Sequence, residues 1–340
     1  MFIVAELSAN HNQDLNLAKE SLYAIKECGA DAIKLQTYTP DSLTLNCKSD
    51  IFKIKSNTIW DNKYLYDLYK EAYMPLEWNI ELFELAKKIN LLCFSSAFDK
   101  EGVDLLETLD NPMYKIASFE ITDIPLIQYI ATKQKPIILS SGIAIGNEMK
   151  EAIEAIRKEG NNDITILKCT SSYPALLNSL NLSSMLIFEK QYGVKYGISD
   201  HSIGVNAAII AVSLKASMIE KHFILDKKYG GLDCKFSMDR VEFKQLVQTI
   251  KDTKEAIGDN NYKIDSSNIQ EDNKIPKGRE FARSLFASKD IKKGEKLRFD
   301  NIKSIRPNNG LPPKYINEII GKNATKNISF GEPLTWDSFK

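Results

Sequence analysis

The stretch GISDHSIGVNAAIIAVSLKASMIEKHFILD (residues 197–226) contains one complete repeat of the fold. A short apolar run leads into His201, a small-residue segment of helical character follows, and a second apolar run, MIEKHF (218–223), carries His222. This order predicts two neighbouring parallel strands that are joined by a crossover helix. Because the carboxyl ends of parallel strands meet at one edge, we expect the two imidazoles to lie side by side.

The same order recurs along the chain and predicts eight strands. Between most of them lie amphipathic stretches such as LNLAKESLYAIKECG (15–29), whose apolar residues recur at helical spacing and whose final glycine is typical of a helix end. Eight strand-then-helix units predict a closed (β/α)8 TIM barrel over residues 1–258, in preference to an open doubly wound sheet. The predicted strands are FIVAE (2–6), AIKLQ (32–36), LLCFSS (91–96), YKIAS (114–118), PIILSS (136–141), ITILKC (164–169), YGIS (196–199) and MIEKHF (218–223).

The pattern ends after residue 258. Residues 259–280 are polar and rich in Asn, Asp and Ser, which predicts a linker. Residues 281–340 contain short strands and turns without a long helix, which indicates a small β-rich second domain. This domain carries 12 Lys and Arg against 6 Asp and Glu, but its basic residues do not form runs interleaved with aromatic residues, so we do not expect it to bind nucleic acid.

The overall composition narrows the class of ligand and the compartment. Basic and acidic residues both number 45, so no net charge favours nucleic acid or an anionic membrane as a partner. The chain has no basic signal region and no apolar run near the roughly 20 residues needed to span a bilayer. Its five cysteines are scattered and never spaced as CxxC, which indicates reduced thiols. We therefore expect a cytoplasmic protein with a small ligand.

Polar side chains lie at the end of nearly every predicted strand, where TIM barrels place their active sites. Lysines and serines are costly to bury without partners, and a ligand with phosphate and carboxylate groups would satisfy several of them at once. Alternatively, each lysine reaches solvent and each serine caps the next helix. These residues are Glu6, Lys34, Gln36, Ser95, Ser96, Lys115, Ser118, Glu120, Ser140, Ser141, Lys168, Ser199, Asp200, His201, Glu220, Lys221 and His222.

The two histidines on adjacent strand ends suit a divalent ion such as Mn²⁺, Zn²⁺ or Co²⁺, with water or substrate oxygens completing the coordination. For a single histidine, a hydrogen bond to a core carbonyl would be the simpler explanation. Asp200 precedes His201 and points to the opposite face of the strand, so we expect it to orient the site rather than to ligate the ion.

Several motifs together resemble those of the sialic acid synthase family. They are AELSANHNQDLNLAKESLYAIKECGADAIKLQTY (5–38), FSSAFD (94–99), PMYKIASFEITDIPLI (112–127), PIILSSGIA (136–144), LKCTSSYP (167–174), ISDHSIG (198–204) and IEKHF (219–223). The resemblance extends over the second domain, because SLFASKDIKKGE (284–295) and SIRPNNG (304–310) are similar to the antifreeze-like (SAF) domain of that family.

This resemblance implies a metal-dependent enzyme that condenses phosphoenolpyruvate with an N-acetylated amino sugar, giving a nonulosonic acid and phosphate. The implied cofactor is a divalent metal, Mn²⁺, Mg²⁺ or Co²⁺. The implied assembly is a domain-swapped homodimer, in which the SAF domain of one subunit reaches the active site of the other. Neither nucleic acid nor a membrane is expected as a partner.

The resemblance also assigns roles to individual residues. Ser171 stands where the family often has Asn, while Tyr173 keeps the family's residue type. The implied catalytic residues are Glu6, near the reacting carbons, Lys34 and Lys115, near the phosphoenolpyruvate carboxylate, and Asp233, on the sugar side. Alternatively, Glu6 only pairs with Lys34 on the neighbouring strand. The implied substrate-binding residues are Gln36, Ser96, Ser118, Glu120, Ser140, Ser171, Tyr173, Ser199 and Arg306, the last donated by the partner's tail, and the implied metal ligands are His201 and His222.

The insertion IWDNKYLYDLYKEAYMPLEW (59–78) bears on the sugar. Within the family it resembles the pseudaminic acid synthases, which predicts 2,4-diacetamido-2,4,6-trideoxy-altrose as the substrate; N-acetylneuraminate or legionaminate synthesis is the alternative. An aromatic lid would suit the methyl groups of such a sugar. Part of the insertion, namely Leu65, Leu68, Tyr69 and Ala72, is expected to form an ordinary helix stripe against the barrel.

Two other classes of protein remain open at this point. A metal-dependent sugar isomerase on the same barrel would require several carboxylate ligands, and release of phosphate from phosphoenolpyruvate would separate it from a synthase. A non-catalytic carbohydrate-binding or ice-binding protein would use the second domain alone, which leaves the lysines and histidines of the barrel unexplained.

Overall fold

The computed structural model describes residues 1–55, 59–258 and 278–340. The chain divides into two compact units, Met1–Gly258 and Asp259–Lys340. Most of the predicted linker, residues 259–277, lies outside the described residues. No helix in the part of the chain that the structure describes is long and apolar enough to cross a bilayer.

The first unit is a closed barrel of eight parallel strands, each paired with its neighbours in chain order and β8 paired with β1. This confirms the predicted TIM barrel and excludes the open sheet. The strands are β1 (Phe2–Glu6), β2 (Ala32–Thr37), β3 (Leu92–Ala97), β4 (Tyr114–Ile116), β5 (Ile137–Ser140), β6 (Ile164–Cys169), β7 (Lys195–Asp200) and β8 (Met218–His222).

Helices follow the strands, and the first helix ends at the glycine that the sequence pattern indicates. The Asp14 carboxylate accepts hydrogen bonds from the backbone amides of Asn16 and Leu17, and Gly29 ends the first helix at φ 85°. The helices of this unit are α1 (Leu15–Cys28), α2 (Pro40–Leu43), α3 (Leu65–Ala72), α4 (Trp78–Lys88), α5 (Lys100–Thr108), α6 (Ile124–Ala131), α7 (Glu148–Lys158), α8 (Met185–Tyr192), α9 (Asn206–Ser213) and α10 (Arg240–Ile257).

The interior of the barrel has an apolar layer beneath a polar one. Successive side chains of a strand point to opposite faces, so every second residue enters the barrel. One apolar cluster fills the lower interior, and the next inward residues toward the carboxyl ends are charged or polar. The apolar cluster consists of Val4, Ala32, Phe94, Ile138, Leu167 and Met218.

Strands β4 and β5 are shorter than the sequence predicts. The predicted fourth strand ran to residue 118, but β4 ends at Ile116 and Ser118–Glu120 form a 3-10 turn. Similarly, β5 ends at Ser140, one residue before the predicted end. Both strands therefore turn early, which places Ser118 and Glu120 in a loop at the mouth of the barrel rather than in its wall.

The second unit is a small β-rich fold. Two antiparallel strands, β9 (Ser284–Ala287) and β10 (Ile302–Ile305), pair with Ala287 opposite Ile302. Its one short α-helix among the described residues, α11 (Ile316–Ile319), agrees with the expected lack of a long helix. A compact apolar core that includes Leu285, Leu297 and Leu334 supports the unit.

Candidate active site at the mouth of the barrel

Two buried ammonium groups and two buried carboxyl groups pair with one another in the polar layer of the barrel. The Lys34 ammonium on β2 forms an ion pair with the Glu6 carboxylate on β1 and lies 3.8 Å from Oε1 of Glu220 on β8. The Lys115 ammonium on β4 lies 3.1 Å from the same Glu220 oxygen. All four side chains are almost fully buried, so each ammonium depends on a carboxylate for its charge partner.

Glu6, Lys34, Lys115 and Glu220 form a charged quartet, and the pKa values of its two carboxyl groups are shifted in opposite directions. Burial raises the pKa of Glu6 to about 7, although the Lys34 ammonium acts against this rise, and the negative charge of Glu220 adds to it. Burial would also raise the pKa of Glu220, but the Lys115 and Lys34 ammonium groups hold it well below its usual range. Near neutral pH, Glu220 therefore serves as the permanent anion and Glu6 can exchange a proton.

Three of the predicted polar residues bond directly to this quartet. Gln36 donates to Oε1 of Glu6 over 3.0 Å, Lys34 donates to the Ser96 hydroxyl over 3.4 Å, and Ser199 donates to Oε1 of Glu220 over 2.9 Å. The structure thus brings Gln36, Ser96 and Ser199 together with the two lysines. The lysines do not reach for solvent, which removes the simpler explanation for their position.

The two histidines lie side by side at the same mouth. Their ring centroids are 5.2 Å apart, and both side chains are buried. Nδ1 of His201 lies 3.2 Å from the carbonyl oxygen of Thr170, which can only accept, so Nδ1 carries the proton and Nε2 is free to bind a metal. Nδ1 of His222 is buried without a hydrogen bond and lies 3.8 Å from the Asp233 carboxylate.

These groups fit a divalent metal ion. Burial, followed by the neighbouring His201, lowers the pKa of His222 well below its usual value, which keeps the imidazole neutral as a ligand must be. Within residues 1–55, 59–258 and 278–340, no group of three or more His, Cys, Asp or Glu side chains gathers as a ready-made metal site. The remaining coordination positions would fall to water and substrate oxygens.

Three aromatic rings form a wall around the histidines. The Tyr173 ring lies 4.6 Å from that of His201, and the Phe236 ring lies 4.9 Å from that of His222. Trp60, from the insertion, packs 5.5 Å from Tyr173, whereas Trp78 at the end of the insertion packs against His11 instead. Trp60 therefore joins the aromatic wall around the histidines whereas Trp78 does not, and α3 buries Leu68 as an ordinary helix does.

Three serine side chains and one glycine form a small polar pocket beside Cys169. The Ser118 hydroxyl accepts a hydrogen bond from the amide of Gly142 and lies 3.4 Å from the Cys169 sulfur. A Cβ at Gly142 would lie 2.1 Å from the Ser171 hydroxyl, so only glycine fits there. The buried hydroxyl of Ser140 has no hydrogen-bond partner. This pocket can offer hydroxyl donors to an anionic oxygen.

Two further carboxyl groups line the mouth. Burial raises the pKa of Glu120 to about 7, and its Oε2 is buried without a hydrogen bond. Burial likewise raises the pKa of Asp233, whose Oδ2 accepts from the amide of Ala9 at 3.4 Å. Arg306, in contrast, belongs to the second unit, where it is exposed directly after β10.

Sequence reasoning placed Glu220 at a strand end near the histidines but gave it no role, and it identified Cys169 only as a reduced thiol. Glu220 precedes His222 by two residues and therefore points into the barrel with it, which the period-two rule could have indicated. Cys169 lies two residues after the inward-facing Leu167, and its sulfur lies 3.8 Å from Nδ1 of His201. Burial alone would raise the pKa of the Cys169 thiol, but the His201 imidazole lowers it to about 7.

Known proteins with similar sequences share both units of the chain. Residues 22–262 match the NeuB family, and residues 282–340 match the SAF domain. The chain belongs to the NeuB family. The family match agrees with the resemblance drawn from the motifs, and the SAF match identifies the second unit.

Relatives of known sequence and several solved structures match over most of the chain. The pseudaminic acid synthase of Helicobacter pylori is 54% identical over 338 residues, which cover 99% of this chain and 97% of the relative. The pseudaminic acid synthase of Campylobacter jejuni is 46% identical, with 100% and 97% covered. A crystal structure of N-acetylneuraminic acid synthetase from Leptospira borgpetersenii, in complex with citrate, is 30% identical with a TM-score of 0.70, covering 80% of this chain and 89% of that one.

The paired histidines generate a first prediction about metal binding. His201→Ala and His222→Ala are each expected to weaken Mn²⁺ binding by at least about tenfold, because each removes one of two imidazole donors. Calorimetric titration of the metal-free protein measures the affinity. His11→Ala is the matched control, since it removes the third histidine, which packs against Trp78, and it should bind Mn²⁺ as the unmodified protein does. Unchanged binding in His201→Ala or His222→Ala would show that the histidine is structural.

Proposed function

We propose that this NeuB-family enzyme is a pseudaminic acid synthase. It condenses phosphoenolpyruvate with 2,4-diacetamido-2,4,6-trideoxy-altrose and releases phosphate. The observation that carries the proposal is the pair of buried lysines, Lys34 and Lys115, in a mouth that also holds two neighbouring imidazoles and a serine pocket. The identity of 54% to the Helicobacter pylori enzyme, over nearly the whole chain, supports the choice of sugar.

The two lysines would bind the carboxylate of phosphoenolpyruvate. Lys34 already donates to Ser96. The ammonium groups of Lys34 and Lys115 together form a cationic patch that is almost fully buried. In the absence of ligand, Glu6 and Glu220 neutralise this patch. A ligand carboxylate would take over part of that role, and the low dielectric of the site would strengthen the interaction.

The phosphate group would occupy the serine pocket. Ser118, Ser140 and Ser171 offer hydroxyls, and the Ser140 hydroxyl lacks a hydrogen-bond partner of its own. Ser199 bonds to Glu220 and lies on the strand next to Cys169, so it connects the carboxylate and phosphate ends. Ser171 offers a shorter hydroxyl where the family often has an Asn amide.

The sugar would bind between the histidines and the aromatic wall. Asp233, close to His222, and Glu120, with its raised pKa, are placed to bond hydroxyl and acetamido groups. Trp60 and Tyr173 would cover apolar parts of the sugar. A divalent ion held by His201 and His222 would supply Lewis-acid polarisation of the aldehyde oxygen.

The reaction forms one carbon–carbon bond and releases phosphate. C3 of phosphoenolpyruvate attacks the aldehyde carbon of the open-chain sugar, whose oxygen takes up a proton from solvent and becomes a hydroxyl. Water adds to C2, and the tetrahedral intermediate collapses with cleavage of the C2–O bond to phosphate. Glu6 would accept the proton of that water, because its pKa of about 7 suits a general base. Gln36 donates a hydrogen bond to Oε1 of Glu6 and so holds the carboxylate in place.

The choice of sugar gives a second prediction. The 2,4-diacetamido-2,4,6-trideoxy sugar is expected to exceed N-acetylmannosamine in kcat/KM by at least about a hundredfold, since a site built to bond a second acetamido group leaves buried polar groups unpaired with the simpler sugar. Release of phosphate from phosphoenolpyruvate measures both rates. Comparable values would favour N-acetylneuraminate synthesis, a higher value with the legionaminate precursor would favour that product, and no phosphate release with any sugar would favour an isomerase.

The raised pKa of Glu6 gives a third prediction. Since the ionised carboxylate is the active form, kcat/KM should fall about tenfold per pH unit as the pH drops below about 7. Glu6→Gln should lower activity by at least about a hundredfold and remove this fall at low pH, the acidic limb of the pH profile. Glu120→Gln is the matched control, because desolvation also raises the pKa of Glu120 to about 7. It should retain the limb, and the ionisation of phosphoenolpyruvate affects both variants equally. A limb that persists in Glu6→Gln and vanishes in Glu120→Gln would reassign the base.

We further propose that Arg306 completes the site of a partner subunit in a domain-swapped dimer. The residues 1–258 contain two arginines, and both are engaged on the outer helices: Arg157 donates to the carbonyl of Tyr192, and Arg240 pairs with Glu27. Arg306 is exposed, and the turn after it is held by Ser284, whose hydroxyl bonds to the backbone of Pro307 and Gly310. A planar guanidinium on a firm turn suits bidentate binding of substrate oxygens.

Mixed dimers test this arrangement as a fourth prediction. Arg306→Ala should lower activity while Arg298→Ala, an exposed arginine of the same unit, leaves it unchanged. Mixing Arg306→Ala with inactive His201→Ala should recover up to about a quarter of the activity, because one of the two sites in each mixed dimer combines an intact barrel with an intact arginine. If subunits exchange without any recovery, Arg306 acts within its own chain or has no part in the reaction.

A further inference from the structure

A buried ion pair lies directly behind the two histidines, on the outer face of the barrel wall. Asp200 on β7 and Lys221 on β8 are opposite each other in register. Their side chains point away from the mouth, because each is next in sequence to an inward-facing histidine. The Lys221 ammonium lies 2.7 Å from Oδ2 of Asp200, and both residues are about 1% exposed. The pair therefore ties the two strands together at the height of the imidazoles.

The same pair also holds the turn that follows His201. Oδ1 of Asp200 accepts from the amide of Ser202 over 2.8 Å and from its hydroxyl over 2.7 Å. Lys221 donates to the carbonyl of Ser202 and, over 3.5 Å, to that of Gly204. All three protons of the ammonium and both oxygens of the carboxylate are thus used. Lys221, the residue before His222, thus fixes the peptide groups that follow His201.

Stability alone does not account for such an arrangement. Removing two charges from water costs several kcal/mol per ion, and apolar residues of similar volume often replace a buried pair without loss of stability. An apolar pair could hold β7 against β8 equally well. It could not bond to the backbone of residues 202–204, so the specific contribution of the ion pair is the geometry of the segment that carries His201.

We infer that Asp200 and Lys221 are positioning residues, which set the distance and orientation of the His201 and His222 imidazoles for a divalent cation. Neither touches the cation or the substrate. The inference rests on the metal-binding role that the proposed function gives to the histidines. Partners behind metal ligands typically change metal affinity by 10- to 100-fold when they are replaced, which sets the expected size of the effect.

The test uses the full-length protein and Mn²⁺ as the probe. The single variant Lys221→Met leaves the Asp200 charge buried and unpaired, which threatens folding, so the decisive variant is the double one, Asp200→Leu with Lys221→Met, which also removes the bonds to Ser202 and Gly204. It removes both charges and leaves apolar side chains in their place. Two controls accompany it. Tyr196→Phe removes the hydrogen bond from Tyr196 to Leu214 at the opposite end of β7, and Leu22→Ala destabilises the apolar core from α1, outside the two strands that carry the ion pair.

Calorimetric Mn²⁺ titration should show affinity weakened by at least about tenfold in the double variant. Both controls should match the unmodified protein, even where Leu22→Ala lowers the melting temperature as much as the double variant does. The KM for phosphoenolpyruvate should remain unchanged, because the lysine patch faces the interior of the barrel. If the folded double variant binds Mn²⁺ with an affinity within twofold of that of the unmodified protein, the inference is overturned and the proposed metal role stands. Absence of Mn²⁺ binding by the unmodified protein would overturn both the inference and the proposed metal role.

Discussion

The neutralisation of two buried ammonium groups is the constraint on which the mouth of this barrel depends. Lys34 and Lys115 lie in a polar layer above a packed apolar floor, and neither can reach water. Such charges persist only beside anions, which Glu6 and Glu220 provide. The same pairing separates the two carboxyl groups chemically. Glu220 stays ionised between both lysines, while Glu6 retains a pKa near neutrality and the capacity to move a proton.

Successive side chains of a strand point to opposite faces of the barrel wall, so one short segment places residues on both faces. On β8, Glu220 and His222 point into the mouth, while Lys221 between them points outward to Asp200. The residues proposed to perform chemistry and the residues proposed to position them are therefore neighbours in sequence but separated by the barrel wall. This separation keeps the outer ion pair apart from the inner quartet, although both are fully buried.

Much of the fold could be predicted from the sequence, because strand runs and helical spacing are local signals. All eight strands and both histidines lie where those signals predict, and the inward direction of Lys34 and Lys115 follows from strand period. The ends of β4 and β5 were predicted too long, since a turn after an apolar run leaves little local trace. The contacts of Cys169 and the approach of Trp60 to Tyr173 could not be predicted, because they join segments that are distant in sequence.

The small number of protein donors around the cation position explains why the outer ion pair matters. Where three or four side chains bind one metal, each ligand is restrained by the others through the ion. Among the described residues no such group exists, and two imidazoles 5.2 Å apart form the core of the site. Their geometry must then come from the protein itself. Thr170 fixes the ring of His201 from one side, and the Asp200–Lys221 pair fixes the backbone on the other, so the proposed cation would find its two imidazole donors already in place before the substrate arrives.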